Sequence, residues 1–173
     1  MTRSSVSSTS GRAYAGESLS ERVARRRSQF LDAGLEVFGT TGYRTATVRQ
    51  LCRQAELTDR YFYESFASLE DLLVAVYERQ FDQLQQVVLQ ALAEDAVLSD
   101  PMSAVEAGLQ ALFDMASDPR VARVCWLEVL GVSPRVDAVY TRTFERFASL
   151  VVAFARQRFP NFDVSDDEAR VQG

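Results

Sequence analysis

The side chains of this chain that could carry chemistry are arginines, tyrosines and carboxylates. All 19 basic residues are arginine, and neither lysine nor histidine occurs among the 173 residues. This composition excludes Schiff-base lysines, histidine-assisted nucleophiles and histidine-ligated zinc. No pair of acidic residues stands at a spacing that nominates an acid–base site. We therefore predict a protein that is not an enzyme and that uses neither a metal nor a cofactor.

Two cysteines, Cys52 and Cys125, are too few for a four-cysteine zinc site. Each lies within an apolar helical pattern, which favours a buried free thiol over a disulfide. The longest apolar run, Leu150 to Ala155, is far shorter than the roughly 18 residues of a membrane span. The N-terminus also lacks the apolar segment of a secretory signal. We expect a cytoplasmic protein that does not enter a membrane.

The segment from Thr47 to Phe66 concentrates arginine and tyrosine on its predicted outer face. Helical periodicity turns Val48, Leu51, Cys52, Ala55, Leu57 and Phe62 inward, and Arg49, Arg53, Asp59, Arg60, Tyr61 and Tyr63 outward. Arginine pairs with guanine edges or phosphates, and the tyrosine hydroxyl donates to phosphate oxygens. This face is therefore a candidate surface for DNA.

Two short helices must position these side chains. Thr47-x-x-Gln50 is a capping box that opens a helix from Val48 to Ala55. The Thr58 hydroxyl is expected to cap the next helix by accepting from the amide of Arg60 or Tyr61. A longer helix precedes both. Together these are the dimensions of a helix-turn-helix, whose second helix enters the major groove of DNA.

The longer first helix opens at the capping box Ser18-x-x-Glu21 and stops within Gly39 to Gly42. Its predicted buried residues are Val23, Phe30, Leu31, Val37 and Phe38. The three arginines Arg25 to Arg27 fit a solvated face and a phosphate anchor equally well.

Further helix starts follow at Ser68, Asp100-Pro101, Asp118-Pro119 and Ser133-Pro134. The helix after Ser68 carries one apolar stripe, formed by Leu72, Leu73, Val76, Tyr77, Phe81, Leu84, Val88, Leu89 and Leu92. No alternating strand pattern persists, so the predicted fold is all-α. A last capping box begins at Ser165 with only one turn of chain after it, and we expect the helical body to be incomplete at its C-terminus.

Composition divides the chain into three parts. Residues 1–17 are rich in serine and threonine and are predicted to form a flexible arm. Residues 18–67 form the helix-turn-helix, and residues 68–173 form a helical ligand-binding and dimerisation body. Residues 1–68 carry 10 arginines against 7 acids, whereas residues 69–173 carry 9 against 17. A basic end on an acidic body suits a DNA-reading head, although chance explains the asymmetry equally well.

Residues 27–77 resemble the DNA-binding region of the TetR family of bacterial transcriptional regulators. After an apolar helix ending in Phe38, the matching pattern is Gly42-Tyr43, Thr47-Val48-x-x-Leu51-Cys52-x-x-Ala55-x-Leu57-Thr58, Phe62-Tyr63-x-x-Phe66 and Ser68-x-Glu70-x-Leu72-Leu73. The resemblance implies a homodimer that binds a palindromic operator in double-stranded DNA. The residues it implies in DNA binding are Thr47, Arg49, Thr58, Asp59, Arg60, Tyr61 and Tyr63. Tyr63 takes the position of a phosphate-contacting tyrosine, with a packing aromatic as the alternative.

Three positions depart from the family pattern. Glu56 replaces the usual glycine of the turn and must adopt a left-handed conformation at a cost of roughly 1 kcal/mol. Leu69 replaces a lysine, which removes one phosphate contact. Gly34 replaces an alanine and lowers helix propensity by up to about 1 kcal/mol. Together they predict weaker DNA binding than is usual in the family.

The resemblance further implies that the body binds an effector. Phe113, Trp126, Tyr140 and Phe144 are the candidate ligand-binding residues, with Met115 and Phe147 nearby in the same pattern. Plain core packing is the alternative for each of them. The predicted function is a ligand-responsive repressor with a small hydrophobic effector. The alternative is a helical sensor or protein-interaction module that retains the head but does not act through DNA.

Overall fold

The protein folds into seven α-helices within the ranges that the computed structural model describes, residues 18–92 and 101–158. They are α1 (Leu19–Thr40), α2 (Val48–Ala55), α3 (Asp59–Ser65), α4 (Leu69–Leu92), α5 (Pro101–Ala116), α6 (Pro119–Arg123) and α7 (Pro134–Arg158). A 3₁₀ turn at Tyr43–Thr45 links α1 to α2, and a π-helical turn at Val124–Glu128 continues α6. The predicted all-α fold is confirmed. The predicted arm (1–17) and the last capping box at Ser165 lie outside the described residues.

Local capping determines where several helices begin. The Ser18 hydroxyl accepts from the Glu21 amide at 3.2 Å, and the Glu21 carboxylate accepts from the Ser18 amide at 2.6 Å. Thr47 and Gln50 form the same reciprocal pair at 3.2 and 2.9 Å. Both predicted capping boxes are confirmed, because each depends only on residues three positions apart.

The start of α3 differs from the prediction. The Thr58 side chain makes no capping hydrogen bond. The backbone carbonyl of Thr58 instead accepts from the amides of Tyr61 at 3.0 Å and Phe62 at 3.2 Å. The backbone therefore satisfies the Tyr61 amide, one of the two amides that the hydroxyl was expected to cap.

An aromatic cluster joins the first three helices. Phe30 of α1 meets Phe62 of α3 edge-to-face with ring centroids 5.4 Å apart, and it meets Phe66 at 6.4 Å. All three rings are buried. Two predicted core residues of α1 are less buried than expected: Val23 is exposed, and Leu31 is half-buried against the core. Val23 lies two turns before Phe30, where α1 extends beyond this cluster.

The long helix α4 packs against α1, α5 and α7 and thereby connects the head to the body. Its buried stripe follows the prediction from Leu72 through Val88, whereas Leu89 is exposed. At Gly34 of α1, a Cβ atom would lie 2.8 Å from Cγ2 of Val76. Glycine therefore lets α1 and α4 approach closely, a role that the sequence pattern did not indicate.

The body packs on the other side of α4. The Tyr77 ring stacks on the Tyr140 ring of α7 at 5.9 Å, and burial raises the pKa of Tyr77 well above its ordinary value. Cys125 is a buried free thiol whose pKa rises to about 12 through the same effect, and Cys52 is also a buried free thiol. Within residues 18–92 and 101–158, no helix has the length and apolar character needed to cross a membrane.

Candidate nucleic-acid interface

The turn between α2 and α3 sets the direction of α3 relative to α2. Glu56 adopts the predicted left-handed conformation, with φ 54° and ψ 36°. Its amide donates to the Arg53 carbonyl at 3.3 Å, and the Leu57 amide donates to the Cys52 carbonyl at 2.9 Å. These two bonds satisfy carbonyls at the end of α2. The turn therefore forms without glycine.

Each of the helices α2 and α3 buries one side in the head and exposes its polar side to solvent. Leu51, Cys52, Ala55 and Phe62 are buried as predicted, while Val48 and Leu57 are half-buried. The predicted DNA-binding residues that lie exposed on α2, α3 and their caps are Thr47, Arg49, Thr58, Asp59, Arg60 and Tyr63. The structure thus brings six of the seven residues to the surface of two adjacent helices.

Tyr63 and Tyr61 have different surroundings. The Tyr63 side chain is 62% exposed, and its ring meets the edge of buried Phe62 at 5.3 Å. This contact supports the ring. Tyr61, predicted to face outward, is half-buried and lies beneath the guanidinium of Arg26, which is 4.2 Å from the ring centroid. The outward placement of Tyr61 is wrong, because Arg26 and the head core cover part of the ring.

Arg26 and Arg27 contact α3. From the sequence alone, these arginines fitted a solvated face and a phosphate anchor equally well. Arg27 Nη1 donates to the Ser65 carbonyl at 2.9 Å, and its guanidinium lies 4.3 Å from the Phe66 ring centroid. A cation at the last carbonyls of a helix is favourable. These arginines precede Phe30 by one helical turn, and this spacing could have placed them on the α3 side of α1.

Glu64 is a charged residue of α3 that the sequence analysis did not select. Its Oε1 accepts from Arg60 Nε at 3.0 Å, one turn apart on the exposed side of the helix. The Arg60 side chain is 83% exposed and that of Glu64 is 42% exposed. The spacing of four residues could have indicated this pair.

A second polar cluster connects the head to the body. Glu128, in the π-helical turn, accepts from the Tyr43 amide at 2.7 Å and from Arg123 Nε at 2.7 Å. Arg123 Nη1 also donates to the Thr40 carbonyl at 2.8 Å. Gly42 lies beside this cluster with φ 93°, and a Cβ atom there would lie 2.8 Å from Arg123 Nη2. We call Glu128, Arg123 and the backbone of residues 40–43 the junction.

The four candidate ligand-binding residues do not share one environment. The Phe113 side chain is 65% exposed and Phe144 is also exposed, whereas Trp126 and Tyr140 are half-buried against the core. An open cleft of about 410 Å³ lies between α4 and α7. Its lining is polar and includes none of the four: Glu78, Arg142, Thr143, Glu145, Arg146 and Ser149. Their role in ligand binding stays a prediction.

A three-helix head with an exposed arginine and tyrosine on its third helix, continued by α4 into a helical body, has the architecture of the helix-turn-helix class. Residues 30–76 match the family model described as "Bacterial regulatory proteins, tetR family". The head of this chain is therefore similar to the DNA-binding region of the TetR family.

Two curated transcriptional regulators are also similar to parts of this chain. The chain is 26% identical to the transcriptional regulator TcmR of Streptomyces glaucescens over 143 residues, which cover 82% of this chain and 58% of TcmR. It is 34% identical to the transcriptional activator FasR of Mycolicibacterium smegmatis over 89 residues, which cover 51% of this chain and 39% of FasR. The chain thus spans 58% of one relative and 39% of the other.

Structural similarity extends through the body. The structure of FadR from Bacillus subtilis in complex with stearoyl-CoA matches with a TM-score of 0.64 and 20% identity. The match covers 80% of this chain and 75% of FadR. At this identity the match establishes the fold.

Proposed function

We propose that the protein is a sequence-specific DNA-binding transcriptional regulator that uses α3 as its recognition helix. The observation that carries this proposal is the two-sided character of α3. Phe62 anchors the helix in the aromatic cluster of the head, while Arg60 and Tyr63 face solvent. A helix held on one side and polar on the other can enter the major groove without disturbing the head.

The exposed residues divide into base-reading and backbone-binding roles. Arg60, near the start of α3, reads a base edge, because the N-terminal residues of a recognition helix reach the groove floor. Tyr63 donates its hydroxyl to a phosphate, and Arg49 with Thr47 binds the backbone from α2. Thr58, whose hydroxyl makes no capping bond, is available as a further donor near Asp59.

Tyr61 has a smaller role in this proposal. Because its ring is half-buried beneath Arg26, only part of the side chain can reach DNA. Its main contribution is the contact with Arg26, which fixes the recognition helix relative to α1.

We further propose a homodimer whose two heads, residues 18–67 of each copy, bind a palindromic operator. Two recognition helices must lie roughly 34–36 Å apart to enter successive major grooves. In the body, residues 68–173, α7 leaves Phe144 and Val151 exposed on a face that does not pack on α4. An exposed apolar face of this kind suits association with a second copy.

The proposed regulator is a repressor that releases DNA when a small hydrophobic effector binds the body. Trp126 and Tyr140 are the first candidate contacts, and Trp126 belongs to the same π-helical turn as Glu128 of the junction. Since the similar FadR structure contains stearoyl-CoA, fatty acyl thioesters are the first effector class to test. Phe113 and Phe144 follow as peripheral contacts.

The proposal is tested by selecting duplexes from a random-sequence library with the full chain at low and moderate salt. A two-fold-symmetric site should be enriched. Arg60→Ala should relax its sequence with a loss of about 1–3 kcal/mol, and Tyr63→Phe should weaken all duplexes alike. Arg142→Ala, an exposed arginine of α7, is the control and should change neither.

The opposite result identifies the alternative. If no sequence is enriched and binding does not fall with salt as phosphate contacts require, the chain is a helical interaction module that does not act through DNA. Where a site is found, a reporter carrying it downstream of a promoter distinguishes repression from activation. Stearoyl-CoA added to the complex should then lower operator affinity.

A further inference from the structure

The Arg60–Glu64 pair of α3 is arranged against the electrostatics of its own helix. Arg60 lies in the first turn, at the positive end of the helix dipole, and Glu64 lies near the negative end. Dipole and side-chain pairing both favour the reverse order, with the acid preceding the base. Both side chains are also well exposed, where ion pairs contribute little. Stability of α3 therefore does not account for the pair.

The geometry of the pair controls which part of Arg60 is available. A guanidinium carries five N–H donors, and Glu64 Oε1 engages the one on Nε at 3.0 Å. The donors on Nη1 and Nη2 at the far end are left to form a parallel fork. Such a fork matches the O6 and N7 acceptors of guanine.

Building on the proposed function, we infer that Glu64 is a positioning residue that directs Arg60 toward end-on recognition of a single guanine. Without Glu64 the flexible Arg60 side chain can turn to the neighbouring phosphates, which carry no sequence information. The Glu64 carboxylate also repels the DNA backbone. The residue thus lowers binding to all duplexes while it improves discrimination at one base pair.

This inference explains a residue that is otherwise unfavourable on a DNA-binding helix. An acid exposed on the DNA side of α3 weakens attraction to every phosphate nearby. In exchange it restricts Arg60, the single arginine of that helix, to one direction. Specificity is a difference between two affinities, and it improves when binding to the wrong sequences weakens.

The test compares two substitutions of Glu64 in the full chain. Glu64→Ala removes both the charge and the acceptor, and Glu64→Gln removes the charge but keeps an oxygen that accepts from Nε. Asp82→Asn is the control, because the Asp82–Arg146 pair has a similar length of 2.9 Å and similar exposure but lies in the body. It changes the net charge by the same amount as Glu64→Gln.

Dissociation constants are measured for the selected site and for a scrambled duplex over a series of salt concentrations. Glu64→Ala should bind the scrambled duplex more tightly and lower the ratio of specific to scrambled affinity about tenfold, within the range for one bidentate base contact. The logarithmic salt slope should steepen by about one as Arg60 moves to a phosphate. Glu64→Gln should also bind the scrambled duplex more tightly than the wild type, but it should retain most of the guanine preference. Asp82→Asn should match the wild type.

Two results overturn the inference and are distinct from failure of the proposed function. One is a Glu64→Ala variant that keeps the wild-type affinity ratio and salt slope while Arg60→Ala loses the guanine preference. The other is a Glu64→Gln variant that loses as much base preference as Glu64→Ala. If the wild type enriches no site at all, the proposed function fails first. Circular dichroism of each variant confirms that α3 and the head are folded.

Discussion

Replacement of Glu128 by alanine should detach the π-helical turn from the head. Glu128 is only 14% exposed, and its two carboxylate oxygens accept from the Tyr43 amide and from Arg123 Nε, each at 2.7 Å. Glu128→Ala removes both bonds at once. It leaves a part-buried amide and a part-buried guanidinium without this partner.

The size of the effect follows from the number and burial of these bonds. Hydrogen bonds to a charged group contribute about 1.5–3 kcal/mol each. Arg123 is partly accessible to water and keeps its bond to the Thr40 carbonyl, so its share must be reduced. We expect a loss of about 2–4 kcal/mol in the free energy of unfolding, or a fall in Tm of about 4–16 °C for a chain of this size.

Urea and thermal unfolding followed by circular dichroism measure this loss. Glu128→Gln keeps an acceptor for the Tyr43 amide and should lose about half as much. Asp82→Ala removes an exposed ion pair with Arg146 and should cost no more than about 1 kcal/mol. If Glu128→Ala and Asp82→Ala are equally stable, the junction does not hold the head to the body and the reasoning is refuted.

Three further changes test the packing and the caps. Glu56→Gly should raise the free energy of unfolding by about 1 kcal/mol, because glycine adopts the left-handed conformation without strain. A lower free energy of unfolding for the variant, measured in urea, would contradict this. Gly34→Ala should lower the free energy of unfolding by about 1–3 kcal/mol despite the better helix propensity, since the new Cβ meets Val76 at 2.8 Å. A rise in Tm would show that Val76 and α4 move to accommodate the methyl group at little cost. Asp118→Ala should cost about 1 kcal/mol at pH 6 by removing the cap of α6. Hydrogen bonds from Arg120 lower the pKa of Asp118 to about 2. The stabilisation by ionised Asp118 is therefore complete above the ordinary pKa of 3.8 and declines as the pH falls toward 2. An equal difference in the free energy of unfolding between wild type and Asp118→Ala at pH 6 and at pH 2 would refute it.

Features determined by neighbouring residues were predictable from the sequence. The capping boxes at Ser18 and Thr47 and the bounds of α2 are as predicted, because their atoms belong to one turn of chain. The left-handed Glu56 was expected from the resemblance to the TetR family, in which glycine usually takes this turn position. The position of Tyr61 was not predictable in this way, since it depends on Arg26 of another helix.

The body was less predictable for a related reason. Aromatic spacing alone does not tell which neighbour a helix face will meet, and Phe113 is exposed although the pattern grouped it with Trp126. The π-helical turn after α6 was also missed. Such a turn inserts one residue into the helical repeat, so a search at a period of 3.6 reads across it. Glu64 was not predicted as a site residue, because arginine and tyrosine bind phosphates whereas an acid repels them.

The junction is a direct contact between the body and the head, and the proposed regulation by an effector would act through it. Glu128 bonds to the amide of Tyr43, the first residue of the 3₁₀ turn that leads into α2. Movement of the π-helical turn therefore acts on the chain segment that positions α2, and α3 follows through their shared core. Gly42 lies beside this contact with φ 93°, a backbone conformation that other residues rarely adopt. In the proposed mechanism, an effector that binds beside Trp126 displaces this turn, and the displacement reaches α2 through the bond between Glu128 and the Tyr43 amide.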